Sequence, residues 1–142
     1  MGDRVLFQVV SSAQPDKFGP VVYCHWAGER APQIVKALAE RMVDRPNDIS
    51  YATARLVQEC VGNSTGSTSF GVWNATHKLT AEDSHGDAGV VLIDCADGFK
   101  CQCLDGYLIV GADGFPTMKT LEEYEDPSDY VGMGWVGSDG RP

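Results

Sequence analysis

Two consecutive amphipathic helices, set between strand-like segments, are the sequence feature that most restricts how this chain folds. Pro32 suits a first helical turn, where its missing N–H costs nothing, and Pro46 ends the first helix. Asn47 or Asp48 caps the second helix, and Gly62 is placed to end it. Apolar residues recur at helical spacing in both segments: Ile34, Val35, Leu38, Ala39, Met42 and Val43, then Ala52, Leu56, Val57, Cys60 and Val61.

Apolar runs on both sides of the helices predict strands. The runs cover residues 5–10, 21–26, 70–74 and 90–95. Asp97-Gly98 and Asp105-Gly106 are typical of two-residue hairpin turns and predict a meander of three strands, 90–95, 99–104 and 107–110. Because 142 residues suit one domain, we expect an α+β fold: an antiparallel sheet of five to six strands with two consecutive helices packed on one face.

Alternation along the strands predicts which side chains face the core. Val22, Cys24 and Trp26 fall on the better core face, whereas Tyr23 and His25 fall on the other. Two-residue turns in the meander place a second set on one face, namely Leu92, Asp94, Phe99, Cys101, Cys103, Leu108 and Val110.

The net charge of −9 is concentrated in the second part of the chain. Residues 1–81 hold seven acidic and eight basic residues, whereas residues 82–142 hold 13 acidic and three basic residues. This balance disfavours broad contact with nucleic-acid phosphates, which bind to basic patches. We expect a compact α+β domain over residues 1–112 and an acidic, Gly-rich extension over 113–142, docked on the domain or on a partner.

The extension combines carboxylates with aromatic rings. It predicts contact with a host protein that has a basic surface, since complementary charge speeds encounter and aromatic rings anchor interfaces. A solvated, disordered segment is the alternative, and a homodimer stays open. The candidate partner-binding residues are Glu122, Glu123, Tyr124, Glu125, Asp126, Asp129, Tyr130 and Trp135.

Cysteine usage and the polar loops predict neither a metal site nor a bound cofactor. Five cysteines, an odd number, do not indicate a disulfide framework, and Cys95-x5-Cys101-x-Cys103 lacks the paired spacing of structural zinc sites. The acidic run 82–87 does not fit a calcium loop, and the Gly-rich run 62–71 lacks the lysine of a phosphate-binding loop.

A candidate ligand site lies where the second strand passes into the first helix. Tyr23, His25 and Arg30 occur there, and a helix N-terminus attracts anions. Arg30 would add a guanidinium fork for phosphate or carboxylate, and His25 is the candidate catalytic residue because imidazole titrates near neutral pH. The alternative is structural: His25 bonds a neighbouring strand while Trp26 fills the core.

The same segment carries a resemblance. Tyr-x-His-Trp-x-Gly at residues 23–28, Asp48-Ile49-Ser50-Tyr51-Ala52 and Ser69-Phe70-Gly71 resemble small proteins of unassigned function from tailed phages and prophages. The resemblance implies a compact α+β domain acting in a bacterial host, and accessory proteins of this class often counter host defences. It assigns no catalytic residue.

The leading functional hypothesis is therefore a phage-type accessory protein. It would inhibit a host defence protein or a nucleic-acid-handling protein through its acidic surface, without direct contact to nucleic acid or membrane. A small nucleotide-acting hydrolase or transferase, or a sponge for a nucleotide signal, is the alternative, with its pocket at His25 and Arg30. Residues 1–10 lack the basic start and apolar stretch of a secretory signal, so the cytoplasm (of the host, if phage-encoded) is the expected location.

Overall fold

The computed structural model describes residues 3–62 and 70–118. The candidate partner-binding residues between 122 and 135 lie outside these ranges, so their role stays a prediction. Short 3₁₀ turns occupy Gly28–Arg30 and Ala81–Asp83. The other elements are β1 (Val5–Val10), β2 (Val21–Cys24), α1 (Ala31–Arg41), α2 (Ile49–Gly62), β3 (Phe70–Trp73), β4 (Gly89–Asp94), β5 (Lys100–Leu104), β6 (Leu108–Val110) and β7 (Pro116–Met118).

The main sheet has five strands in the order β3-β2-β1-β4-β5. Its central pair, β1 and β4, is parallel, with Val5 opposite Gly89 and Val10 opposite Asp94. The α+β class is confirmed, but the expectation of a purely antiparallel sheet is wrong for this pair. The segment between β3 and β4 is long enough to return the chain to the start of β1, as a parallel connection requires.

The two helices form where the apolar spacing predicts them. Pro32 lies in the first turn of α1, and the backbone N–H of Tyr51 donates to the Asp48 side chain at 2.9 Å, so Asp48 caps α2. Met42 is buried, but Val43 is exposed, contrary to its expected place in the apolar stripe. Since α1 ends at Arg41, helical periodicity no longer determines where Val43 points.

Both sides of the sheet contribute to buried clusters. Alternate residues of β1, Val5, Phe7 and Val9, belong to one cluster together with Leu38 of α1 and Leu56 of α2. Leu6 belongs to a second cluster, which also contains Val21, Leu79, Val90 and Leu92. The period of two along β1 therefore supplies apolar side chains to both clusters.

The connection between β4 and β5 differs from the predicted two-residue turn. Residues 95–99 form the loop, and Phe99 takes a positive φ of 63° within it. Cys101 then lies opposite Ile93, and Cys103 lies opposite Val91, so these thiols do not share the side of Leu92. The predicted register is wrong because the loop has five residues, an odd number that reverses the alternation.

β6 does not complete a three-stranded meander. It pairs with β7 in a separate two-stranded sheet, with Ile109 opposite Thr117. This hairpin spans residue 113, where the acidic extension is expected to begin, and residues 113–118 thus contribute to the described fold. Within residues 3–62 and 70–118, no helix is both long and apolar enough to cross a membrane.

Candidate binding surface

Tyr23 lies in a cross-strand row in which its neighbour on the edge strand is a glycine. The register places Tyr23 between Leu6 on β1 and Gly71 on β3. Since Gly71 has no side chain, the Trp73 ring reaches back over it and lies 3.9 Å from where a Cβ would stand. The Tyr23 and Trp73 rings are consequently neighbours, with centroids 5.9 Å apart.

Two imidazoles flank the Tyr23 ring. The Tyr23 hydroxyl and His25 Nδ1 are hydrogen-bonded at 2.7 Å, and the His85 ring centroid is 5.4 Å from that of Tyr23. The His25 ring also meets the Trp26 ring edge to face at 4.6 Å. We call the five side chains the aromatic surface: Tyr23, His25, Trp26, Trp73 and His85.

The indoles of the aromatic surface are half in solvent. Trp26 is 50% exposed and Trp73 is 46% exposed. The expectation that Trp26 fills the core beside Val22 and Cys24 is wrong, because β2 ends at Cys24 and the strand alternation ends with it. Val22 and Cys24 themselves are buried, as predicted.

An ion pair supports the His85 end of this surface. Arg4 Nε donates to Asp87 Oδ2 at 2.8 Å, and a guanidinium N–H of Arg4 donates to the backbone oxygen of His85 at 2.9 Å. Burial opposes ionisation of Asp87, but the hydrogen bonds from Arg4 outweigh it and lower the pKa of the carboxyl. Arg4 thus connects the start of β1 to the segment that carries His85.

The helix entrance that the sequence assigns to an anionic ligand holds a carboxylate of the chain itself. Asp3 Oδ2 accepts the backbone N–H of Glu29 at 2.8 Å, and the Tyr107 hydroxyl donates to Asp3 Oδ1. A Cβ on Gly28 would lie 2.3 Å from Asp3 Oδ1 and 2.6 Å from the Tyr107 hydroxyl, so only glycine fits there. Sequence reasoning missed Asp3 because its partners are distant in the chain.

Arg30 and His25 both contact Trp26, but different parts of it. The Arg30 guanidinium donates to the Trp26 backbone oxygen at 3.4 Å, whereas the His25 ring packs on the indole. A hydrogen bond with the Cys60 thiol lowers the pKa of buried Cys24, and the charge of Arg30 acts in the same direction. Arg30 is therefore engaged with the backbone of Trp26 and lies near a buried thiol pair.

The described part of the chain contains no group of three His, Cys, Asp or Glu residues that could hold a metal ion. All five cysteines carry thiols. Burial raises the pKa of Cys95 to about 11 and that of Cys103 to about 11. Thiols with raised pKa values are weak nucleophiles at neutral pH.

Comparisons with family models, with curated proteins and with solved structures found no match for this chain. The site therefore has to be interpreted from its own geometry.

Proposed function

We propose that this chain is a binding protein and that a protein partner docks on the aromatic surface. The observation that carries the proposal is that Trp26 and Trp73 are half exposed and yet held by neighbouring rings: His25 packs on Trp26, and Tyr23 packs on Trp73. Tryptophans that are fixed before binding lose little conformational entropy on docking, and tryptophan is enriched among the residues that dominate interfaces.

The position of the helices supports the same proposal. We infer that α1 and α2 cover the side of the sheet that carries Phe7, since Leu38 and Leu56 belong to its cluster. Tyr23 packs instead against the second cluster, with Leu6 and Val21. Docking at the aromatic surface would then leave the helices in place.

The acidic segment between residues 122 and 135 supports a basic partner. Its carboxylates would add attraction at long range, while the indoles supply contact at short range. That the partner is a host defence or nucleic-acid-handling protein, inhibited by a phage-type accessory protein, rests on the sequence resemblance alone.

The test compares binding by variants that change only the exposed rings. Tagged protein with Trp26→Ala or Trp73→Ala is incubated with bacterial lysate, and captured proteins are identified by mass spectrometry. Tyr51→Ala is the matched control, because Tyr51 is an exposed aromatic residue on α2. A specific partner is lost from both tryptophan variants and retained by the control. The purified partner then binds the wild type and Tyr51→Ala more tightly than it binds either tryptophan variant.

Two further variants separate the alternatives. Changing Glu122, Glu123, Glu125 and Asp126 to their amides tests the acidic segment at low salt, where its attraction is greatest. His25→Ala tests the hydrolase, transferase or nucleotide-sponge alternative. Capture that is identical for the wild type, the tryptophan variants and the amide variant contradicts the proposal, and nucleotide turnover lost on His25→Ala establishes the enzyme instead.

A further inference from the structure

A cavity of about 360 Å³ opens at the carboxyl ends of the two parallel strands. β1 leads there through Ser11 and Ser12 toward β2 on one side of the pair, whereas β4 leads through the loop 95–99 toward β5 on the other side. In open α/β sheets, ligands bind in the crevice outside the carboxyl ends of parallel strands, at the point where neighbouring strands lead off to opposite sides. The volume lies within the range of roughly 300 to 1,000 Å³ that small-molecule sites occupy.

The cavity is lined by both apolar and charged side chains. Val10 and Leu92 line it from neighbouring strands, and Lys78 and Lys100 line it from two different elements. Lys78 comes from the segment between β3 and β4, and Lys100 is the first residue of β5. Two lysines from separate parts of the chain thus line one cavity.

A buried glutamine fixes the backbone on both sides of Lys78. Gln8 is fully buried in β1, where an amide is costly unless its hydrogen bonds are made. Its amide nitrogen donates to the His77 backbone oxygen at 3.2 Å, and its Oε1 accepts the Leu79 N–H at 2.8 Å. The residues before and after Lys78 are therefore both tied to the central strand.

A carboxylate fixes the two loops at the mouth of the cavity. Asp94 Oδ1 accepts the backbone N–H groups of Ser12 at 2.9 Å and of Ala96 at 3.0 Å. Asp97 is the second acid that lines the cavity. Its Oδ1 is 3.9 Å from Lys100 Nζ, near the distance limit of an ion pair. Among the residues that the structure describes, no carboxylate forms an ion pair with Lys78.

We propose that this cavity binds a small organic anion, a carboxylate or a phosphate monoester. Its charged group lies between Lys78 and Lys100, and its apolar part contacts Val10 and Leu92. The site is distinct from the aromatic surface, since none of the five side chains of that surface lines the cavity. Tyr23 lies opposite Leu6, four residues or about 13 Å along β1 from Val10. The cavity would therefore bind a ligand in addition to the proposed protein partner, and this inference does not depend on that partner.

The experiment is an NMR titration of the protein with propyl phosphate and with butyrate at constant ionic strength. These probes share an apolar chain and differ in the anionic group, so they distinguish the two sources of charge. Saturable shifts are expected at the amides of Ser12, Lys78 and Lys100. Removing one ammonium group, by Lys78→Met or Lys100→Met, weakens the preferred anion by about fivefold or more.

Three further substitutions make the expected result directional. Asp97→Asn removes the carboxylate that competes for Lys100, and binding becomes tighter. Lys36→Met is the matched control, because Lys36 is an exposed lysine of α1 that pairs with Asp113 outside this cavity, and binding is unchanged. Lys78→Arg keeps the positive charge and is expected to retain binding. This variant separates loss of the positive charge from loss of the fold.

Shifts that spread over the surface without saturation overturn the proposal, as does equal weakening by Lys36→Met. Weaker binding by Asp97→Asn also contradicts it. Butylamine is the opposite-charge probe, and saturable binding of this cation in preference to both anions assigns the cavity to Asp94 and Asp97.

Discussion

The hydroxyl of Tyr107 donates a hydrogen bond to the carboxylate of Asp3, and so joins the residue before β6 to a residue two positions before β1. The Asp3 backbone N–H donates to the His25 oxygen, and the Asp3 oxygen accepts the Gly28 N–H. Asp3 thereby anchors the backbone on both sides of Trp26. The aromatic surface depends on this anchor, since Trp26 lies beyond the end of β2.

Tyr107→Phe is expected to lower the free energy of unfolding by about 1 to 3 kcal/mol, because the partly buried carboxylate of Asp3 loses a donor. Urea unfolding followed by circular dichroism measures the change. Tyr51→Phe is the control, since Tyr51 is exposed and keeps its ring under Arg45. Equal stability of Tyr107→Phe and the wild type would show that the hydrogen bond contributes nothing.

The same tyrosine predicts a loss of stability in alkali. Burial, and then the charge of Asp3, raise the pKa of Tyr107 above its usual value near 10. Above about pH 10 the unfolded chain releases this proton first, so the wild type loses stability as pH rises. Tyr107→Phe lacks the group, and the difference between the two proteins should shrink from pH 9 to pH 11 in urea titrations. A constant difference contradicts the shift.

The Arg4–Asp87 pair predicts a loss of stability in acid. The lowered pKa of Asp87 means that the unfolded chain takes up this proton first as pH falls through about 4. Asp87→Asn should be less stable than the wild type at pH 7 by about 1 kcal/mol, and this difference should shrink as the pH falls below about 4. Asp16→Asn, at an exposed turn, should show no such convergence.

Gln8→Met is expected to destabilise the protein by roughly 2 to 4 kcal/mol. The substitution leaves three backbone groups without their partner, namely the Gly19 and His77 oxygens and the Leu79 N–H. Gln102→Met is the matched control, because Gln102 lies in the same cross-strand row but is exposed. Chemical unfolding of both variants checks the difference, and similar losses would contradict the role of Gln8.

Gly28→Ala should cost more than about 1 kcal/mol, since its methyl group would overlap with Asp3, Ala88 and Tyr107. Gly62→Ala is the comparison, because a Cβ at the end of α2 meets nothing within 4 Å. Thermal unfolding of the two variants measures the gap. A Gly28→Ala protein as stable as Gly62→Ala would show that the Asp3 side chain can move aside at little cost in stability.

The parts of the fold that the sequence predicts correctly are those set by neighbouring residues. The helices follow from apolar spacing, and the Asp48 cap follows from a contact three residues away. The parallel pairing of β1 with β4 depends on residues more than eighty positions apart, and no local pattern encodes it. The predicted β4–β5 register is wrong because one loop conformation, with Phe99 at positive φ, determines which face each later residue of β5 occupies.

The candidate site shows the same division. Strand alternation places Tyr23 and His25 on one face, and the structure brings them into contact. No local pattern links Trp73, His85 or Asp3 to them, because these residues join the site through the glycine at position 71, the Arg4 bonds and Tyr107. A polar residue inside an apolar strand, Gln8, is the available signal for the cavity at the carboxyl ends of β1 and β4.

The parallel pairing of β1 and β4 also dictates when the chain can fold during synthesis. β1 leaves the ribosome early and can pair with β2 soon afterwards. The other edge of β1 pairs with β4 only after residue 94 has emerged. Distant contacts of this kind slow folding, because a long loop must close before they form. Until then the nascent chain exposes one open edge of an apolar strand, the surface that invites mispairing with other chains. Truncations that end before residue 89 should therefore aggregate during expression.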